Sequence, residues 1–190
     1  NDALPISYHK NCSGNGGGGI IQHPCKNIEQ KNYRLIKSLL TNKINIMEHT
    51  FSKESITSAL CNKLIEKAFA KAKELGMGIA VTIVDESGVT KAFHRMDNAP
   101  FIASDASRKK ALTAVGFGMP TGDSWYGFIK DDPILMHGAG QLNDFILLGG
   151  GSPIMVNEKM VGAIGISGGH YKQDEDCVKA ALEVLQTATA

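Results

Sequence analysis

From residue 52 onward the chain alternates between two hydrophobic periods. Ile56, Leu60, Leu64, Ala68, Ala72 and Leu75 recur at i, i+4 and i+3, with Lys63, Lys67, Lys71 and Glu74 falling elsewhere. That spacing predicts an amphipathic helix, capped by Ser52 with Glu54 in its first turn and ended by Gly76. The period then shortens. Ile79 to Val84 (IAVTIV) and Val89 to Arg95 (VTKAFHR) read as strands, joined by the turn Asp85-Glu86-Ser87-Gly88 into a hairpin. Ile79, Val81 and Ile83 take one face of the first strand, and Ala80 and Val84 the other. Both faces are apolar enough to need cover, with helices expected on one and a partner subunit on the other.

A second helix follows over Ala106 to Val115, capped by Ser104 or Asp105, until Gly116 and Gly118-Met119-Pro120 break it. Thr121 to Ile129 predicts a short helix holding Trp125, the only tryptophan, and residues 131–143 read as a long loop. Three strands come next: Phe145 to Leu148, Pro153 to Val156 and Met160 to Ser167. Gly168-Gly169-His170 then leads into a last helix with Val178, Ala181, Leu182 and Leu185 on one face. The predicted order is α-β-β-α-α-β-β-β-α. It contains no βαβ repeat, so the expected class is α+β with an antiparallel sheet.

Composition narrows the function classes. The chain has 190 residues, of which 43% are hydrophobic and 21% charged, with Lys+Arg 20 against Asp+Glu 19 for a net charge of +1. That balance carries no electrostatic footprint for nucleic acid or an anionic membrane surface, and no apolar run has the length of a membrane span. Residues 1–46 differ from the rest. They are rich in asparagine, contain the run Gly16 to Gly19, and carry +4 of charge, leaving −3 on the remainder. Only Tyr33 to Leu40 in this stretch suits a short amphipathic helix. The expected division is an N-terminal extension over 1–46, non-native or flexible, and a domain over 47–190 that opens at Met47. No secretory signal pattern is present, which points to the cytoplasm. Cys12 and Cys25 lie in the extension, and Cys61 and Cys177 on predicted helices. Without CxxC or zinc-type spacing, the four read as free thiols, with a Cys12–Cys25 disulfide as the alternative.

Four stretches taken together resemble one family. They are VTIVDESGVTKAFHRMDNAP (81–100), ASDASRKKALTAVGFGMPT (103–121), GGGSPIMVNEKMVGAIGISGG (149–169) and QDED (173–176). From about Ile56 to Leu185 the chain is similar to the GlcG/HbpS-type haem-binding or haem-degrading domains, and to the C-terminal domain of PduO-type cobalamin adenosyltransferases. The resemblance implies a profilin-like sandwich that assembles into dimers or larger homo-oligomers, with haem or a related tetrapyrrole as ligand and a link to haem or iron handling. It does not extend to residues 1–46.

The candidate site residues each carry two readings. Gly168 and Gly169 before a helix N-terminus suit close approach of a ligand, but Asp174, Glu175 and Asp176 in the first turn satisfy the helix dipole and repel a phosphate. His170, His137 and His94 are the candidate iron ligands; His170 reads equally as an exposed loop histidine, and His94 and Arg95 point to opposite sides of a strand. His9, His23 and His49 lie in or beside the extension and are set aside. Arg95, Lys110 and Thr113 can meet the carboxylates of haem propionates or of an organic acid, the last two sharing one helix face. The alternative pairs Arg95 with Asp97 or Asp105 in a structural role. An enzyme reading, acting on a small organic molecule, would use Lys110, His170, Asp174 or Glu175 as acid and base. Gly165-Ile166-Ser167-Gly168-Gly169 matches G-x-S-x-G, and Ser167, His170 and Asp174 form a nearby Ser/His/Asp set. The parallel sheet that gives this motif its meaning is not predicted.

Overall fold

The computed structural model describes residues 32–39 and 49–185. The chain divides into two units, Asn1–Phe51 and Ser52–Ala190. In the first, residues 32–39 form helix α1, where an amphipathic helix was expected, with Tyr33, Leu35, Ile36 and Leu39 all exposed. The other expectations for the extension, including Cys12, Cys25, His9 and His23, lie outside the described residues.

The second unit runs α2 (Ser58–Glu74), β1 (Ala80–Asp85), β2 (Thr90–Arg95), α3 (Ala103–Phe117), α4 (Asp123–Ile129), α5 (Pro133–Gly138), β3 (Gly151–Val156), β4 (Lys159–Ser167) and α6 (Tyr171–Leu182). The strands form one open antiparallel sheet in the order β2-β1-β4-β3. The α+β class is as the pattern predicted. The element order differs in two places. Residues 145–148 are not a strand. Gly122 N–H donates to Leu147 O at 2.8 Å and Ile146 N–H donates to Thr113 Oγ1 at 2.9 Å, so this backbone bonds to the α3 side chain and the start of α4 instead of to a sheet neighbour. The stretch read as a loop contains α5. Asp132 caps it, its carboxylate accepting from the N–H groups of Ile134 and Leu135, and Pro133 occupies the first helical turn.

Helix starts moved as well. Thr57, not Ser52, caps α2, its Oγ1 accepting from Leu60 N–H at 3.3 Å. Ile56 N–H donates to Val161 O at 2.9 Å, which ties the preceding segment to β4 and delays the helix. Neither Ser104 nor Asp105 caps α3, which begins at Ala103; Asp105 sits in the first turn and pairs with Lys109 at 2.8 Å. The end of α2 is as expected. Gly76 has φ +68°, and the N–H groups of Gly76 and Met77 donate back to Lys73 O and Ala72 O. A left-handed residue at that point closes both orphan carbonyls.

The core has two sides. Val81 and Ile83 of β1, with Ile164 and Ile166 of β4, pack against Leu64 and Ala68 of α2 and Cys177 and Ala181 of α6. Val84 and Ala163 pack against Ala111, Ala114 and Val115 of α3. Alternate strand residues face opposite ways, so α2 and α6 cover one face and α3 the other. The second face of β1, for which a partner subunit was expected, is covered by this chain's own α3. Gly165 explains how closely α3 approaches: a Cβ there would lie 2.0 Å from Ser107 O.

Candidate functional site

The ends of β4 and α6 carry the most concentrated polar chemistry. Asp174, in the first turn of α6, and Lys110, in the middle of α3, form a buried ion pair with Nζ 2.7 Å from Oδ2. Lys110 also donates to Ile166 O at 2.9 Å, and Asp174 Oδ1 accepts from Gly169 N–H at 3.1 Å. Burial is the larger influence on both groups. It pushes the Lys110 ammonium below the usual lysine value, against the raising effect of Asp174. It pushes the Asp174 carboxyl above the usual aspartate value, against the lowering effects of Lys110 and of the Gly169 and Gly168 N–H groups.

Of the three acids expected in the first turn of α6 only Asp174 lies there, and its carboxylate accepts from Gly169 N–H, just ahead of the N-cap. The remaining caps are also internal. His170 Nδ1 accepts from Lys172 N–H at 3.3 Å, and Gln173 Oε1 accepts from His170 N–H at 3.0 Å, a capping box with histidine in the N-cap position. The space beside Gly168 and Gly169 is filled by the chain itself, since Cβ atoms there would lie 2.1 Å from Gly78 O and 2.7 Å from Met77 Cε. Thr113 is buried, accepting from Ile146 N–H, so Lys110 and Thr113 share a helix face that points inward. Ser167, His170 and Asp174 are not joined by hydrogen bonds among the described residues, and Asp174 bonds elsewhere.

Of the three candidate histidines, His170 is exposed and packs against Tyr171, and His137 is exposed on α5. His94 is exposed on the edge strand β2 and stacks on Phe69 of α2, with ring centroids 5.2 Å apart and planes 24° from parallel. It opens onto a shallow groove of about 460 Å³ lined by Phe69, Lys73, His94, Arg95, Met96 and Asp97. The structure thus brings His94 and Arg95 to one groove, although strand alternation separates their side chains. No ion pair among the described residues joins Arg95 to Asp97 or Asp105. The pattern missed Phe69 and Lys73 as groove residues. Phe69 lies on α2 one position after Ala68, on the shoulder of the helix's apolar stripe, so a stripe assignment names it only as packing.

A second cleft of about 290 Å³ lies between α4 and the start of α6, lined by Asp123, Tyr126, Leu147, Leu148 and Tyr171 with Gly122 and Gly149. Glu175 stands behind its glycine edge.

Among the described residues no group of three or more His, Cys, Asp or Glu is placed to hold a bare metal ion, and no helix is long and apolar enough to cross a membrane.

A family model described as "Haem degrading protein HbpS-like" matches residues 56–183. An uncharacterized 15.0 kDa protein from the dhaT-dhaS intergenic region of Citrobacter freundii is 32% identical over 141 residues, covering 68% of this chain and 91% of that protein. The corrinoid adenosyltransferase PduO of the same organism is 29% identical over 137 residues, covering 67% of this chain and 38% of its own length, so the chain spans well under half of that enzyme. The crystal structure of a PduOC–haem complex is similar in fold, with a TM-score of 0.61 and 26% identity over 68% of this chain and 94% of that one. The matched stretch contains all four strands and both faces of the sandwich, and the chain belongs to the HbpS-like family.

Proposed function

We propose that this chain binds haem in the groove beside β2, with the His94 imidazole as iron ligand and Arg95 and Lys73 facing the propionates. The observation that carries the reading is the His94–Phe69 stack at the groove. It holds an exposed imidazole in one orientation, and no hydrogen bond among the described residues engages either ring nitrogen. A lone histidine suits haem because the iron arrives with its porphyrin ligands and asks the protein for only one or two more. Phe69 and Met96 offer apolar surface to the ring, and two cations sit beside it. When bound, the haem supplies an iron centre with a strong visible absorption. The fold likeness to a haem complex of PduOC supports the same ligand class.

The groove is shallow, and we place a second copy of the chain against the other side of its edge strand, the side that α3 covers. Val89, Phe93, Phe101 and Ile102, on β2 and the segments flanking it, expose large apolar side chains that a copy would cover. A homo-oligomer engaged in haem or iron handling is the resulting reading, with Lys110 and Thr113 as supports of the fold rather than direct contacts.

Titration of the full chain with haem, followed by absorbance, tests this. Saturable binding with a sharp Soret band is expected, lost in His94→Ala and kept in His170→Ala and His137→Ala. Shallow, unsaturable partitioning by the wild-type chain would remove haem as the ligand. A band kept in His94→Ala would overturn the ligand assignment. Size-exclusion chromatography of the same samples reads the oligomer.

A further inference from the structure

The geometry points to the cleft between α4 and α6 as a binding site for a small organic ammonium ion, quaternary or N-methylated, whose place is held by the protein's own Lys172. Three features at the edge of that cleft, where Asp123 and Tyr171 meet Lys172, recognise a cation. The Lys172 ammonium lies 5.2 Å from the centroid of the Tyr171 ring. It is paired with Asp123 of α4, and lies 3.4 Å from Glu175 Oε2. The Tyr126 ring lines the cleft together with Tyr171. Aromatic faces beside carboxylates form the surface that holds alkylammonium groups, because the ring quadrupole attracts the charge and the ring plane accepts the methyl groups.

The walls exclude a hard metal ion. Leu147 and Leu148 bring apolar surface, and Leu147 O already accepts from Gly122 N–H. Calcium or magnesium would need a cage of oxygens there. The volume of about 290 Å³ suits a small molecule only. Two glycines let the charge approach. Cβ atoms at Gly122 and Gly149 would lie 2.5 and 2.1 Å from Glu175 Oε1, so any side chain at either position would displace the carboxylate from behind the cleft. The site uses none of the residues assigned to haem, and it stands whether or not haem binds.

Calorimetric titration of the full chain with tetramethylammonium and with choline, at ionic strength matched with sodium chloride, tests the proposal. Saturable heat is expected with both and with sodium alone none. Lys172→Ala is expected to tighten binding, by about threefold or more, because it removes the internal competitor and leaves Asp123 and Glu175 without their cation. Tyr171→Leu and Tyr126→Leu are each expected to weaken it by about two- to fivefold, the size of an exposed cation–π contact. Asp123→Asn, at an exposed position, should weaken it without disturbing the fold, and keeps the test decisive if a tyrosine variant unfolds. No saturable heat in either the wild type or Lys172→Ala overturns the site. So does binding that is indifferent to Asp123→Asn and to the tyrosine variants.

Discussion

Lys110 on α3 and Asp174 on α6 meet at 2.7 Å although their helices cover opposite faces of the sheet. Both side chains are at most 2% exposed. The contact passes beside Gly150, where a Cβ would lie 2.7 Å from Asp174 Cβ and 3.1 Å from Lys110 Nζ. The pair joins the two layers at the end where α6 begins.

Breaking that pair by one substitution is expected to strand a buried charge. Lys110→Met or Asp174→Asn should each destabilise the fold by about 3–5 kcal/mol, and the double variant Lys110→Met/Asp174→Leu should recover most of the loss, since burial costs both ions more than their attraction returns. Urea unfolding of the three variants checks this. Equal losses in the single and double variants would show that a stranded charge is not what destabilises the single variants.

The close approach of α3 to β4 rests on Gly165. A Cβ there would lie 2.0 Å from Ser107 O and 2.5 Å from Ala111 N, both backbone atoms of a helix that cannot yield locally. Gly165→Ala is expected to cost about 1–3 kcal/mol or more by overpacking. A thermal melt unchanged within a degree would contradict the close contact.

Cys177 lies at 0% exposure between α6 and α2, and burial pushes its thiol up to about 11. The folded thiol therefore holds its proton more tightly than the unfolded one. Its contribution is complete below the unfolded value and is lost as pH rises through the folded one. Between about pH 9 and pH 11 the wild type should lose about 2–3 kcal/mol more than Cys177→Ala. In the native state at pH 8 neither Cys177 nor the buried Cys61 should react with a thiol reagent, and both should react once unfolded.

Phe69 orients His94 from behind. Phe69→Ala leaves the imidazole in place chemically but removes the ring that holds it. Haem affinity is expected to fall by about tenfold or more, the usual effect of losing a group that orients a metal ligand, while the Soret position stays that of a histidine-bound haem. An unchanged titration curve would mean that the stack does not position the ligand.

Periodicity sufficed wherever a side chain's neighbours lie within one turn or one strand. The stripe Leu60, Leu64, Ala68, Ala72 made α2 legible, the alternation in IAVTIV made β1 legible, and Gly76 marked a helix end through its own backbone freedom. The cap at Asp132 with Pro133 after it is equally local, yet residues 131–143 read as a loop, because α5 has only six residues and buries none of them, so no apolar stripe marks it. Residues 145–148 are different. Their apolar character is that of a strand, but Thr113 and Gly122 take their hydrogen bonds in place of a sheet neighbour. Only the tertiary arrangement decides such a competition. The same holds for the sites. The sequence named Lys110, Asp174, His94 and Arg95 as candidates, but not which of them are sealed inside and which are exposed. Lys110 and Asp174 are 64 positions apart and became a sealed pair because the side chains of α3 and α6 meet beside Gly150, where no Cβ stands between them. His94 became an exposed, oriented imidazole because α2 places Phe69 beneath it. Sequence spacing determines which face of an element a residue takes; which element it then meets depends on distances through space that spacing does not contain.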